Sequence, residues 1–350
     1  MNQYGFIDIS LNADLSNIGD AIPPEIPRVG AEQTVSGSTW RFLTRPLVGH
    51  YVGWHQGALF SEGTYGKIYR AERMVVVRRE DGLFDVIEGP HDVVLKTVTG
   101  LEEIDAYVAE ALLHIVAWQT VQAVAPWSIP RPYEIFRDNR DSQSVSLCMS
   151  YVNGRTLVSY MGRHWTTASK EENSRTFLEV MGQVAFVLYH LQDQLCMNHR
   201  DLKINNVLIR KRAPITLTIE DAALEINHEV TLIDFGFACV GRSSSILQAG
   251  SWFSERDICC KVGRDIAQLV FCIHCYFPLS EYLTPATYAI VVRWMMIGGV
   301  NVLNGFTKEG RPLKRGKPVY DTGIYEFLRK TSVDTGPCCP LTVFKDCCGA

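Results

Sequence analysis

The chain has no basic start running into an apolar stretch. Its first residues read MNQYGFIDISLNADL, so a secretory leader is not expected. It also lacks a run long enough to span a bilayer: the most apolar segment, Ala286–Val300, is short and broken by Arg293. Positive charge is not in excess. Lys and Arg number 34 against 38 Asp and Glu, for a formal net charge of -4, which speaks against a nucleic-acid partner. The one basic cluster, Arg311–Lys317, contains Pro and Gly and reads as a solvated loop. These absences lead to the expectation of a soluble, cytoplasmic chain without membrane insertion, with the nucleus left as the secondary location.

Cysteine is abundant, with 11 residues. Without an export signal, reduced thiols are expected. Cys272 and Cys275 lie in IAQLVFCIHCYF, which reads as a buried helix where Cys behaves as a small hydrophobe. The pairs Cys338–Cys339 and Cys347–Cys348 fit no zinc-finger spacing. The 350 residues are 47% apolar and 21% charged, enough for a sizeable core in one large or two smaller domains.

Residues 1–38 are rich in Pro, Gly, Ser and Asn without a sustained period and read as a flexible extension. Strand patterns follow at Gly57–Phe60, Lys67–Ala71, Val93–Val98 and Ser144–Tyr151. Between the second and third, Asp81-Gly82 marks a hairpin within an insertion. Apolar residues at Ile104, Val108, Leu112, Ile115 and Val116 predict a helix over Glu102–Gln119. After Asn153-Gly154 long helices dominate, at Asn173–Leu195, Asp265–Tyr276 and Tyr288–Met296. A strand-rich half followed by a helix-rich half predicts two lobes of different architecture, 39–152 and 153–335, then a Cys-rich tail, 336–350.

Four motifs carry chemistry. His199-Arg200-Asp201-Leu202-Lys203-Ile204-Asn205-Asn206 fits H-R-D-L-x-x-x-N. In such a loop Asp201 can accept a hydroxyl proton, Lys203 can face a transferring phosphoryl group, and Asn206 can hold a cation. Thr231-Leu232-Ile233-Asp234-Phe235-Gly236 delivers a metal-binding Asp at a strand end, 33 residues after Asp201. The gap holds an inserted hairpin over Arg210–Glu229. Ser61-Glu62-Gly63-Thr64-Tyr65-Gly66-Lys67-Ile68 is a Gly-rich turn in which Ser61 stands at the first Gly position. Val93-Val94-Leu95-Lys96 ends a strand on a Lys suited to phosphate contact. Its expected ion-pair partner is Glu110, with Glu102 and Glu103 reading as first-turn acids.

Together these motifs resemble the eukaryotic-type protein kinase family over roughly residues 51–335. The resemblance implies an α+β bilobal fold, with a small antiparallel β-sheet lobe bearing one helix and a larger, mainly helical lobe. It implies ATP as cofactor with Mg²⁺, a protein substrate with a Ser or Thr acceptor, and a serine/threonine kinase activity carried by Asp201, Lys203, Lys96 and Glu110. Asn206 and Asp234 would be the metal ligands. Ser61, Gly63, Gly66, Ile68, Val94, Lys96, Met149, Tyr151 and Leu208 would contact the nucleotide, with Met149 as gatekeeper and Ser150–Val152 as hinge. Asp265 would brace the catalytic loop, and Arg200 would grip a phosphate on the activation segment, with Arg242–Ser245 a candidate phosphosite. Departures are Ser61, His114 at a position usually apolar, and no A-P-E after Asp234, where Ser254-Glu255 is a poor substitute. A binding scaffold of the same fold and a small-molecule phosphotransferase remain the alternative readings.

Overall fold

The computed structural model describes residues 28–35, 37–44, 46, 49–63, 66–99, 101–138, 144–242, 245–248, 259–304, 323–330 and 336–349. The chain forms two compact units. One takes in residues up to Trp118 together with Pro130–Val152; the other takes in Gln119–Ile129 and the chain from Asn153 onward.

The first unit is a closed barrel of β1 (Arg28–Val35), β2 (Ser38–Leu43), β3 (Tyr51–Gly63), β4 (Gly66–Arg78), β5 (Phe84–Thr99), β6 (Pro132–Asp138) and β7 (Ser144–Ser150), in the order β1-β2-β3-β4-β5-β7-β6. All neighbours are antiparallel except β1 and β6, whose parallel pairing of Arg28 with Arg137 and Val29 with Asp138 closes the ring. The expected sheet is therefore larger than its local signals suggested. The stretch read as an extension to residue 38 includes β1, whose register carries it onto β2. The insertion between the second and third expected strands is the far halves of β4 and β5. Gly82 turns this hairpin with φ of 83°, and Asp81 accepts from the Leu83 N–H at 3.0 Å.

Inside, Trp54 stacks on Phe136 at 4.2 Å and Phe42 on Phe84 at 5.0 Å. Gly53 is forced by this packing, since a Cβ there would meet Phe42 at 2.5 Å. Helix α1 (Leu101–Val121) follows β5. On it, His114 Nε2 lies 2.7 Å from the Pro130 carbonyl, so this imidazole is a satisfied buried group.

The second unit is mainly helical. Its elements are β8 (Arg155–Thr156), α2 (Leu157–His164), α3 (Lys170–Leu195), β9 (Met197–Asn198), β10 (Val207–Ile219), β11 (Ala222–Leu232), β12 (Cys239–Arg242), β13 (Ser245–Gln248), α4 (Arg264–Tyr276), α5 (Leu279–Tyr282), α6 (Pro285–Trp294), α7 (Ile324–Lys330) and α8 (Pro340–Cys348). Helix α3 starts at an N-cap, Ser169, whose hydroxyl accepts from the Glu172 N–H, and ends at Cys196 in the left-handed region. The expected hairpin over Arg210–Glu229 is the β10–β11 pair, antiparallel from Val207–Leu232 to Ile219–Ala222 with a register shift between Lys211 and Ile215. Buried polar side chains of α3 fasten it. Glu179 Oε1 accepts from the N–H groups of Asn227 (2.5 Å) and His228 (2.6 Å), and Gln183 Oε1 from that of Val230 (3.1 Å). The Cys-rich end is helix α8, lying on α3 and β11. A Cβ on Gly182 would meet Leu224 at 2.4 Å and Cys347 at 3.2 Å.

The cysteines differ from the all-thiol expectation. Cys239 and Cys259 form a disulfide, because β12 brings Cys239 to a Cα–Cα distance of 6.3 Å from Cys259. Among the described residues no three or more His, Cys, Asp or Glu side chains are grouped to hold a metal ion.

Candidate active site

The strand β9 leads into the loop that carries His199–Asn206. Asp265, at the first turn of α4 and wholly buried, receives the loop backbone. Its Oδ1 accepts from the Arg200 N–H at 2.7 Å and its Oδ2 from the His199 N–H at 3.0 Å and from Asn198 Nδ2 at 3.0 Å. Arg200 takes φ of 63°, a left-handed conformation that costs a non-glycine residue about 1 kcal/mol or more. The two charge-assisted backbone bonds hold it there.

Asp201 is buried. Its Oδ2 accepts from Lys203 Nζ at 2.7 Å and from Asn206 Nδ2 at 3.1 Å, while Asn206 Nδ2 also reaches the Asp201 carbonyl at 2.9 Å. With its NH₂ committed, Asn206 has its side-chain oxygen to offer a cation. Burial pushes the Asp201 carboxyl up from its ordinary value. Lys203 and His199 pull against this, and the charge of Asp234 adds to it. Asp234 is thus close enough for the two carboxylates to repel.

Asp234 is delivered by β11. The Ile233 N–H donates to the Asn206 carbonyl at 3.0 Å, the Leu232 N–H to the Ser128 carbonyl at 2.7 Å, and Thr231 Oγ1 to the Trp127 carbonyl at 2.7 Å. Like Arg200, Asp234 is left-handed, with φ of 69°. Phe235 is buried against His199, ring centroids 4.9 Å apart, and His199 Nε2 lies 3.1 Å from the Ile233 carbonyl. The second unit therefore brings together Asp201, Lys203, Asn206 and Asp234 in one hydrogen-bonded and electrostatic cluster. One carboxylate and one amide oxygen beside a second carboxylate suit a hard cation that keeps water and phosphate among its ligands, which is the manner of Mg²⁺.

The first unit places Lys96 near the C-terminal end of β5, where Nζ donates to Glu110 Oε1 on α1; both side chains are largely buried. Tyr107 on the same helix donates its hydroxyl to the Lys96 carbonyl and accepts from the Leu147 N–H at 3.2 Å, fixing strand to helix. The side chains of Glu102 and Glu103 lie outside the described residues. Ser61 and Gly63 sit at the end of β3, paired with Ile68 and Gly66 across the hairpin. Thr64 and Tyr65 lie outside the described residues. Gly66 has a structural reason of its own, because a Cβ there would meet the Thr97 carbonyl at 2.7 Å. Val94 pairs with Met149 across β5 and β7, both half-buried. Tyr151 is engaged within its own unit. Its N–H donates to the Asp92 carbonyl at 3.2 Å and its ring lies 3.4 Å from the Arg70 guanidinium. Leu208 is half-buried on β10 of the second unit.

Residues beyond those anticipated also shape the loop. Asn198 Oδ1 accepts from the Lys261 N–H at 2.6 Å, and its Nδ2 donates to the Lys261 carbonyl at 3.0 Å. Arg200 Nη1 donates to Gln248 Oε1 at 3.0 Å, so a neutral amide of β13 meets the guanidinium that was expected to await a phosphate. Ser243, Ser244, Ser254, Glu255 and the basic cluster 311–317 lie outside the described residues.

Residues 95–253 match the family model of the protein kinase domain, a stretch that contains Lys96, Glu110, Asp201, Asn206 and Asp234. That stretch is somewhat under half of the chain and runs from β5 to just past β13, within an α+β architecture. Among solved structures the chain is similar to the autoinhibited serine kinase domain of the giant muscle protein titin, at 13% identity and a TM-score of 0.37, covering 53% of this chain and 45% of that one. It is also similar to the BubR1 kinase domain, at 15% identity and a TM-score of 0.39, covering 63% of this chain and 56% of that one. The chain thus spans about half the length of these structures. No curated protein matches it.

Proposed function

We propose that this chain is an ATP- and Mg²⁺-dependent serine/threonine protein kinase that transfers the γ-phosphoryl group to a protein hydroxyl. The observation that carries the reading is the convergence on the Asp201 carboxylate of the Lys203 ammonium, the Asn206 amide and the charge of Asp234. A protein that only binds partners has no chemical need to set a buried carboxylate against a second, half-buried one and beside a Lys.

In this reading Asp201 receives the acceptor hydroxyl, aims its oxygen in line and takes its proton. Lys203 keeps a positive charge beside that carboxylate, where it also offsets charge on the phosphoryl oxygens. Asp234 and the Asn206 side-chain oxygen would hold Mg²⁺, which neutralises the phosphate charge and orients the leaving group. Lys96, oriented by Glu110, would contact the α- and β-phosphates. The substrate would be an intracellular protein. Among the described residues no helix is long and apolar enough to cross a membrane.

The test is incubation with γ-labelled ATP, Mg²⁺ and a mixed Ser/Thr protein acceptor. The wild type should place acid-stable label on protein, and Asp234→Asn should abolish it. Label on a small molecule would establish a different phosphotransferase, and no transfer with retained nucleotide binding would leave a scaffold.

Lys96→Met is expected to lower turnover by roughly 10²–10³-fold, the usual loss for one preorganised electrostatic donor. The fold should persist, because Met matches the length of the Lys stem and Glu110, about a tenth exposed, can accept a proton or water. Steady-state rates and circular dichroism check this together; a mutant with normal rates would remove Lys96 from the site.

A further inference from the structure

We propose that Cys239 and Cys259 are a reversible thiol–disulfide modification site that fastens the loop carrying Asp201. The two residues are 20 apart in sequence and lie on opposite flanks of Asn198. On one flank, β12 pairs with β9, setting Cys239 opposite Asn198 and Val240 opposite Met197. On the other, the backbone just past Cys259 is gripped by the Asn198 amide, which both accepts from and donates to Lys261. The same Asn198 donates to Asp265, whose carboxylate holds the His199 and Arg200 N–H groups. The cross-link therefore ties together two chain segments that both meet at Asn198, just ahead of the loop that carries Asp201. A covalent tie there removes the freedom of either flank to draw away from the loop.

The surroundings accommodate the reduced state as well. Cys259 Sγ lies 3.5 Å from the Cys196 carbonyl, so a thiol at this position has an acceptor for its S–H, whereas the disulfide sulfur needs none. Cys239 and Cys259 are both buried, and a buried Cys behaves as a small hydrophobe when it is a thiol. Beside them Cys260 and Cys196 are partly accessible thiols, yet Cys260 Sγ lies toward the Met197 carbonyl, at 3.8 Å, and not into the cross-link.

The chemistry balances with a low-molecular-weight disulfide of the glutathione type as oxidant. One of the two thiolates attacks a sulfur of that disulfide, forming a mixed disulfide and expelling one small thiolate. The second protein thiolate then attacks the protein-bound sulfur, forming the Cys239–Cys259 bond and expelling the other. Two protein thiols are oxidised and one small disulfide is reduced to two thiols. Burial makes both steps await local opening, so exchange is expected over hours.

The experiment equilibrates the full-length protein in buffers of graded reduced-to-oxidised glutathione ratio until no further change occurs. Free thiols are then alkylated and peptides mapped. In parallel, amide exchange is followed at His199, Arg200 and Lys261. A Cys239–Cys259 peptide should appear at the oxidising end and vanish at the reducing end. In the reduced protein the three amides should exchange faster, on the order of tenfold. Cys259→Ala should exchange like reduced wild type in every buffer, and if it does not fold, the wild-type comparison decides alone. Cys260→Ala should titrate as wild type does. The proposal is overturned if no linked peptide forms at any ratio, if loss of Cys260 abolishes it, or if the amides exchange alike in both states. Any consequence for phosphoryl transfer rests on the kinase reading above. Thiol mapping and amide exchange need no activity, so a catalytically silent protein would still show whether the cross-link forms and whether it holds the loop.

Discussion

Asp201→Asn is expected to reduce phosphoryl transfer by on the order of 10³-fold while leaving the protein as stable as before, or slightly more so at neutral pH. The substitution keeps the size of the side chain and one carbonyl-type oxygen, so Lys203 or the Asn206 amide can still find an acceptor. What is lost is basicity. General-base assistance contributes typically ~10²–10⁴-fold, and an amide cannot supply it. Binding of nucleotide should change little, because in this reading Asp201 faces the hydroxyl and not the phosphates. The stability half of the prediction follows from the raised carboxyl. Burial, the leading cause, makes the folded state hold its Asp201 proton at a higher pH than the unfolded chain does. Between the two values the folded state binds more protons, so this group's contribution to stability falls as pH rises, and above the folded value the ionised carboxylate is a net cost. Removing the charge removes that cost. The wild-type rate should move oppositely, rising as pH rises through the folded value, because the base must be ionised. Single-turnover rates across pH, with thermal melts on the same samples, check both. A mutant retaining more than about a tenth of the rate would exclude Asp201 as the base.

The parts of this site that were legible in the sequence are those in which chemistry is tied to short spacing. The interval from Asp201 to Asn206 is one loop, and the tripeptide at Asp234 ends a β-branched and apolar run, so type and order sufficed. Glu110 was separable from Glu102 and Glu103 because helical periodicity placed it deep in α1. The hairpin β10–β11 was visible through its alternating apolar residues. What escaped notice depends on partners distant in sequence. β1 closes the barrel through Arg28 and Val29 against Arg137 and Asp138, a parallel pairing for which no local pattern exists. β6 begins on a Pro, which reads as a break until its place at a strand start is seen. Asn198 and Glu179 look like ordinary polar residues in a loop and on a helix. Only the fold reveals that each satisfies buried backbone N–H groups. Gln248 gave no signal because a neutral amide is not where one seeks the partner of Arg200. The disulfide is not legible because compartment sets only a default for thiols, whereas the pairing is decided by which segments bring two Cα atoms together.

Glu134→Ala is expected to destabilise the barrel unit by about 3–5 kcal/mol, the largest stability effect anticipated in the described residues. Arg73 on β4 is wholly buried, and Glu134 on β6 is 2% exposed. The guanidinium donates Nε to both carboxylate oxygens, at 2.9 and 3.1 Å, and Nη2 to Oε1 at 2.5 Å, while its plane covers Tyr133 at 4.5 Å. Truncating Glu134 strips a buried cation of its main counter-charge and leaves it leaning on Glu88, which is 3.4 Å away and partly in solvent. An Arg does not give up its proton, so the barrel must admit water or open the β6 edge. Burial pushes the Glu134 carboxyl up in spite of the pull of Arg73, whereas burial lowers the Arg73 guanidinium but the charge and hydrogen bonds of Glu134 raise it past that, so the cation depends on this carboxylate. Two consequences distinguish a stranded charge from a simple loss of contacts. The first is that Arg73→Met combined with Glu134→Leu should be far more stable than Glu134→Ala alone, with a coupling of several kcal/mol in the double-mutant cycle. The second concerns pH. Because the folded value lies above the unfolded one, the folded state binds the Glu134 proton more tightly. This group therefore adds no acid lability of its own, and its contribution to stability grows as pH falls between the two values. Urea unfolding of the wild type, the single variants and the double variant, at neutral and mildly acidic pH, measures all of these terms. If Glu134→Ala and the double variant unfold at the same denaturant concentration, the buried pair is not what holds β4 to β6. Closure of the barrel would then rest on apolar contacts such as that of Trp54 with Phe136.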